Sequence, residues 1–229
     1  MISSHLFAVV ACLSTFASAL AIPGLSAGSS KRAFTVSLPP SGLPDPSSIS
    51  PAVTLKYIAL GVGTQNYTCA SSPNSASAPI QVGAKATLFD AGQFFNTFPG
   101  MVQTLPGLAL GLYTMTGQPD MTRILGGSVL GHHFFNSLGQ PTFDLSKINA
   151  RLTAKKLSGV AAPADSCPGP NNAGAVDWLE LTDIGGGASY GGITYVYRVE
   201  TAGGKPPAKC TDQSGAFTVP YAAEYWFYG

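Results

Sequence analysis

The sequence predicts an all-β protein, an antiparallel β-sandwich or distorted β-barrel with an apolar, irregular insertion. Three observations predict it. Side chains alternate with period two in several runs rich in β-branched and aromatic residues, most clearly Ile193 to Thr201 and Tyr221 to Tyr228. Gly and Pro, 27 and 18 of 229 residues, punctuate the chain between those runs. Helical periodicity does not persist beyond two turns, and its best stretch, Met101 to Tyr113, has helix breakers close by.

The elements follow in chain order. From Val53, Leu55, Tyr57 and Ala59 alternate with Lys56, Ile58 and Leu60; the run breaks at Gly61-Val62-Gly63 and resumes from Tyr67 to Cys69, which predicts a hairpin. Ala84 to Phe89 is a short strand ending at Asp90. Ala91 to Pro119 holds no charged residue in 29 positions, and its Pro and Gly are too frequent for a membrane helix. Because large exposed apolar patches are rare on soluble monomers, an insertion over 91–127 is expected to complete the core. Strands are then expected at Ser128 to Phe135, Thr142 to Leu145, Leu152 to Leu157 and Ala175 to Leu181. In the two strongest runs, Ile193, Tyr195, Tyr197 and Val199 oppose Thr194, Val196, Arg198 and Glu200, while Tyr221, Ala223, Tyr225 and Phe227 oppose Ala222, Glu224, Trp226 and Tyr228. About eight to ten strands result.

Ahead of this domain (53–229) the chain reads as leader. Leu6 to Leu20 is an apolar run followed by small residues, so 1–19 is expected to be a signal peptide. Residues 20–32 form a Gly/Ser-rich pro-segment ending in the dibasic pair Lys31-Arg32, a processing site. Residues 33–52 run extended. No second membrane span and no lipid-anchor tail is expected, so the protein is placed outside the cell or at the cell wall.

Composition narrows the function classes. Charged residues are 10% of the chain, against about 25% in an ordinary domain. A formal charge of +1 without basic runs argues against nucleic acid, whose phosphates need clustered Lys and Arg. Beyond Cys12 in the leader stand Cys69, Cys167 and Cys210. One disulfide and one spare thiol is the simplest arrangement. Cys69–Cys210 is the expected pair, since both end strand-like runs; Cys69–Cys167 stays open. Asn66-Tyr67-Thr68 is a glycosylation sequon inside an expected strand.

Blocks along the chain resemble a known family: ALGVGTQNYTC from Ala59, ATLFD from Ala86, GHHFFNSLGQPTFD from Gly131, VDWLEL from Val176, YVYRVETAGGKPPAKC from Tyr195 and VPYAAEYWFY from Val219. As an ordered set they are similar to the secreted DUF3455 proteins of fungi and bacteria, a family of unknown function. The resemblance implies export and a β fold but no reaction. Some fungal members carry a malate dehydrogenase label, which the residues here oppose. A dinucleotide fold needs a Gly-x-Gly-x-x-Gly turn opening a helix. Gly61-Val62-Gly63 has Asn66 at the third Gly position and is followed by strand residues.

Chemical candidates are few. His132 and His133, adjacent on a strand, point to opposite faces and cannot chelate one metal together. Either could act as general base or metal ligand with Asp90, Asp144 or Glu224 as partner, which defines a hydrolase or metal-dependent alternative. No Gly-x-Ser-x-Gly elbow and no Cys/His cluster occurs, and no cofactor or metal is expected. Binding has the better case. Trp178 and Glu180 share one strand face, as do Trp226 and Tyr228, and rings beside polar groups can stack sugars or anchor a protein. The expected function is therefore non-enzymatic glycan or protein binding outside the cell; an effector that inhibits a host enzyme is the third alternative.

Overall fold

The computed structural model describes residues 33–49, 53–70, 76–211 and 213–229. The expected signal peptide and the whole expected pro-segment, with its Lys31-Arg32 site, lie outside the described residues. Eight antiparallel strands close into a barrel in simple chain order: β1 (Leu55–Cys69), β2 (Ile80–Asp90), β3 (Val129–Phe135), β4 (Pro141–Leu145), β5 (Ala150–Val160), β6 (Trp178–Asp183), β7 (Tyr195–Gly203) and β8 (Gly215–Tyr228). The longest strands, β1 and β8, close the ring in a register running from Leu55↔Tyr228 to Cys69↔Gly215. Closure leaves no open sheet edge. Of the two expected architectures, the barrel is the one that forms.

Eight strands leave an interior just wide enough for side chains to fill. Alternation sends Ala59, Leu88, Leu130, Phe143, Leu152, Val196, Tyr221, Tyr225 and Phe227 into that interior. The opposite faces of β1, β7 and β8 are also apolar: Ile58, Leu60, Val62, Tyr197, Val199, Ala222 and Trp226. The insertion between β2 and β3 covers this outer wall. The wall is therefore buried from both sides.

The insertion is apolar, as expected, but it is largely helical. It comprises α2 (Gly92–Thr97), a 3₁₀ turn at Pro99–Met101, α3 (Leu105–Thr116) and α4 (Thr122–Leu125); α1 (Pro46–Ile49) is a single turn in the N-terminal segment. Phe95, Leu105, Ala109, Leu110 and Leu125 press onto the wall. Phe34, Val36 and Leu38 of the N-terminal segment pack against the same cluster.

Two expectations are corrected. Gly61-Val62-Gly63 is not a turn: β1 is continuous over 15 residues. These glycines mark close approach, since a Cβ at Gly61 would meet the Tyr225 ring and one at Gly63 would overlap the Lys85 carbonyl oxygen. The second correction concerns cysteine. Cys69 and Cys210 are bonded across a sequence separation of 141, but Cys167 is disulfide-bonded too, so no described cysteine is a spare thiol.

Candidate functional site

The sequence-predicted residues are placed as follows. His132 faces outward from β3 and is exposed, whereas His133 faces the barrel interior at 4% exposure. The His133 ring stacks on Phe143 with centroids 4.3 Å apart and its Nδ1 lies 3.0 Å from the Thr142 carbonyl oxygen. Burial lowers its pKa to about 4, with the Arg198 charge adding to the effect and the Thr142 hydrogen bond opposing it. A neutral ring bonded to a backbone carbonyl has no carboxylate to orient it as a base.

The named carboxylates are engaged elsewhere. Asp144 is opposite His132 in register, but its Oδ2 accepts from Arg151 Nη2 at 2.7 Å. The Oδ1 of Asp90 accepts from the backbone N–H of Gly92 at 3.2 Å, opening α2. The Oε2 of Glu224 accepts from Trp226 Nε1 at 2.8 Å. Among the described residues no three His, Cys, Asp or Glu side chains converge to hold a metal ion. Asn66 lies half-buried in β1, its Oδ1 accepting from Thr64 Oγ1 at 3.1 Å.

Trp178, Glu180, Trp226 and Tyr228 all lie on the outer wall, and all are buried there. Trp226 is fully enclosed. Glu180 accepts from Ser158 Oγ at 2.7 Å and from the Tyr197 hydroxyl at 3.2 Å. These four residues therefore form no open stacking platform: the insertion and the N-terminal segment cover them. Trp178 alone reaches the lining of an accessible cavity.

That cavity, about 470 Å³, opens where four segments meet over the wall. The N-terminal segment supplies Pro40, and the insertion supplies Gln103, Thr104 and Pro106. The β5–β6 loop brings Asp165 and Ser166; the wall contributes Trp178, Glu200 and Thr201. The cleft exists because β7 is irregular here. Its register with β8 shifts between Val199 and Ala202, and Glu200 adopts φ +46°, a left-handed conformation uncommon for a residue with a side chain. The bulge turns Glu200 out of strict alternation and into the cleft. Thr201 is tied down by its Oγ1 donating to the Val176 carbonyl oxygen at 2.5 Å.

The electrostatics are acidic. Burial raises the Glu200 pKa to about 7, and repulsion from Asp165 adds to it. Trp178 is 3% exposed, and its indole N–H has no hydrogen-bond partner. A buried donor left unsatisfied costs about 1–3 kcal/mol, so an acceptor at that position would be rewarded. Sequence reasoning singled out Trp178 but missed Glu200 and Asp165. Glu200 was hidden because only the bulge redirects it, and a bulge leaves no period-two signature.

The family model described as "Protein of unknown function (DUF3455)" matches residues 49–229, which is the whole barrel with its insertion. The chain belongs to this family. No curated protein and no solved structure matches it. For this DUF3455 protein the barrel and the disulfide are compatible with an extracellular setting, and no helix among the described residues is long and apolar enough to cross a membrane.

Proposed function

We propose that this DUF3455 protein is an exported, non-enzymatic binding protein whose ligand is a glycan held in the acidic cleft between the insertion and the barrel wall. One observation carries the reading: a cleft of about 470 Å³ lined by Asp165, Glu200, Thr104, Ser166 and Trp178, beneath which the buried Trp178 indole N–H has no partner. Sugar hydroxyls each offer a donor and acceptors, so they match a wall that mixes carboxylate acceptors with an unsatisfied donor. Pro40 and Pro106 supply apolar surface for the C–H faces of a sugar ring.

A glycan and polysaccharide panel on the protein secreted by a eukaryotic host tests this. Binding of at least one glycan is expected, weakened about tenfold or more in the Glu200→Gln, Asp165→Asn double variant, a loss of about 1.4 kcal/mol. Trp178→Phe keeps the ring and removes the N–H, and should weaken binding several-fold. Release of reducing ends from a bound glycan would remove the non-enzymatic half of the proposal. Binding unchanged in both variants would remove the cleft.

A further inference from the structure

At the barrel end formed by the start of β2, the β3–β4 turn and the start of β6, the filled interior gives way to a hollow. It holds about 230 Å³, and its floor is apolar: Phe135, Phe143, Leu181 and Tyr225 surround the neutral His133. A second hollow of about 270 Å³ adjoins it toward solvent, with Tyr67, Asp177 and Lys205 in its lining. Gln81, Lys156, Leu179 and Arg198 line both, so the two form one depression with a dry inner half and a charged rim.

Arg198 governs this depression. Alternation along β7 turns it inward, opposite Tyr225 on β8, where it is 8% exposed. Its Nε and Nη2 donate to the Asp177 carbonyl oxygen at 3.2 and 2.8 Å. It makes no ion pair among the described residues. The nearest acidic side chain in the lining, Asp177, is half exposed and lies 3.9 Å from Lys205 Nζ instead. Guanidinium has five N–H donors; two go to the Asp177 carbonyl oxygen and a further one to the Tyr225 hydroxyl, so two remain for a ligand. A charge withdrawn from water without a counter-ion is costly and is relieved when an anion binds. Around the rim stand three cations, Arg198, Lys156 and Lys205, against the single carboxylate of Asp177.

We propose that this barrel mouth binds a small amphiphilic carboxylate, its carboxylate on Arg198 and Lys156 and its apolar body against Phe135, Phe143 and Leu181. The site is separate from the glycan cleft in residues and opposite to it in charge. Arg suits the head group because its planar fork matches a carboxylate bidentately. The inner hollow is smaller than the roughly 300–1,000 Å³ of drug-sized sites, so the body is short. The floor rejects a fully hydrated anion, and the buried guanidinium rejects an uncharged chain.

Calorimetric titration of the secreted protein at neutral pH with hexanoate, acetate, hexanol and inorganic phosphate tests the assignment. Hexanoate is expected to bind, with acetate, hexanol and phosphate each about tenfold weaker or more, the equivalent of about 1.4 kcal/mol. Arg198→Gln should abolish hexanoate binding. Should that variant not fold, Lys156→Glu, at an exposed position, decides instead, with an expected weakening of about tenfold or more. Glu200→Gln should leave hexanoate binding unchanged, which separates failure of this site from failure of the cleft. No hexanoate binding up to about 10 mM, well beyond a useful affinity, overturns the proposal. So does acetate or phosphate binding as tightly as hexanoate, or equal hexanoate affinity in the Lys156→Glu protein.

Discussion

The Cε2 atom of Tyr225 lies 2.5 Å from the point where a Cβ on Gly61 would stand. Glycine at 61 is what allows β1 to pass the Tyr225 ring inside a barrel too narrow for another side chain there. Gly61→Ala is expected to destabilise the protein by about 1–3 kcal/mol through overpacking. Gly63→Ala should be worse, because the obstacle is the backbone of Lys85, which cannot rotate away. Chemical denaturation of both variants checks the order. Equal stability of Gly63→Ala and wild type would mean that the strands are not this close.

The same pair of glycines shows what the sequence reveals and what it hides. Strand positions were legible because one buried barrel face writes itself as period two, as in Tyr221, Ala223, Tyr225 and Phe227. Gly61 and Gly63 resembled a turn because close packing and chain reversal select the same residue. The insertion's helices were hidden for a related reason. In α3, Pro106 falls in the first turn, where proline is tolerated, and Gly117 caps the end at φ +84°. The breakers were thus helix boundaries. Covered by apolar surface on more than one side, α3 carries no polar stripe to give a period near 3.6. Of the candidate sites, Arg198 could be assigned a face by alternation, but not its depth or its missing counter-ion. Those depend on Tyr225, His133 and Phe143 converging from other strands.

The Cys69–Cys210 bond ties the end of β1 to the β7–β8 connection over 141 residues. In the chain-entropy account a loop of that length restricts the unfolded state by up to about 5 kcal/mol. The Cys69→Ser, Cys210→Ser double variant is expected to lose several kcal/mol, read as a lower denaturation midpoint. It should keep wild-type spectra when folded, because β1 and β8 still pair along their full length. A midpoint unchanged from wild type would contradict this account.

His133 is held neutral by burial, with its pKa lowered to about 4 from the usual 6.5. Between those two values the unfolded chain takes up a proton that the folded protein does not. The stabilising contribution is therefore complete above about pH 6.5 and is lost as pH falls toward 4, roughly 3 kcal/mol in all. Glu200, with its pKa raised to about 7, acts in the opposite direction over much of this window. The difference between wild type and His133→Leu isolates the histidine. Unfolding free energies measured from pH 4 to 7 should show wild type losing stability on acidification faster than the variant. Parallel curves would mean that the ring is solvated.

Glu224 is fully buried on the outer wall, with Oε2 accepting from Trp226 Nε1 and Oε1 lacking a partner. Burial pushes its pKa well above the ordinary value of 4.5, repulsion from Glu200 adds to this, and the Trp226 bond pulls it back. The folded protein thus keeps a proton that the unfolded chain gives up above about pH 4.5. The contribution is complete below that pH and is lost as pH rises toward the folded pKa. Glu224→Gln cannot ionise, and its amide oxygen can still accept from Trp226. The variant should fold, match wild type near pH 4.5 and become progressively more stable than it at higher pH, by up to about 1.4 kcal/mol per unit. Thermal melts at closely spaced pH values give the comparison. A constant offset between the two proteins would show that the carboxyl is charged in place.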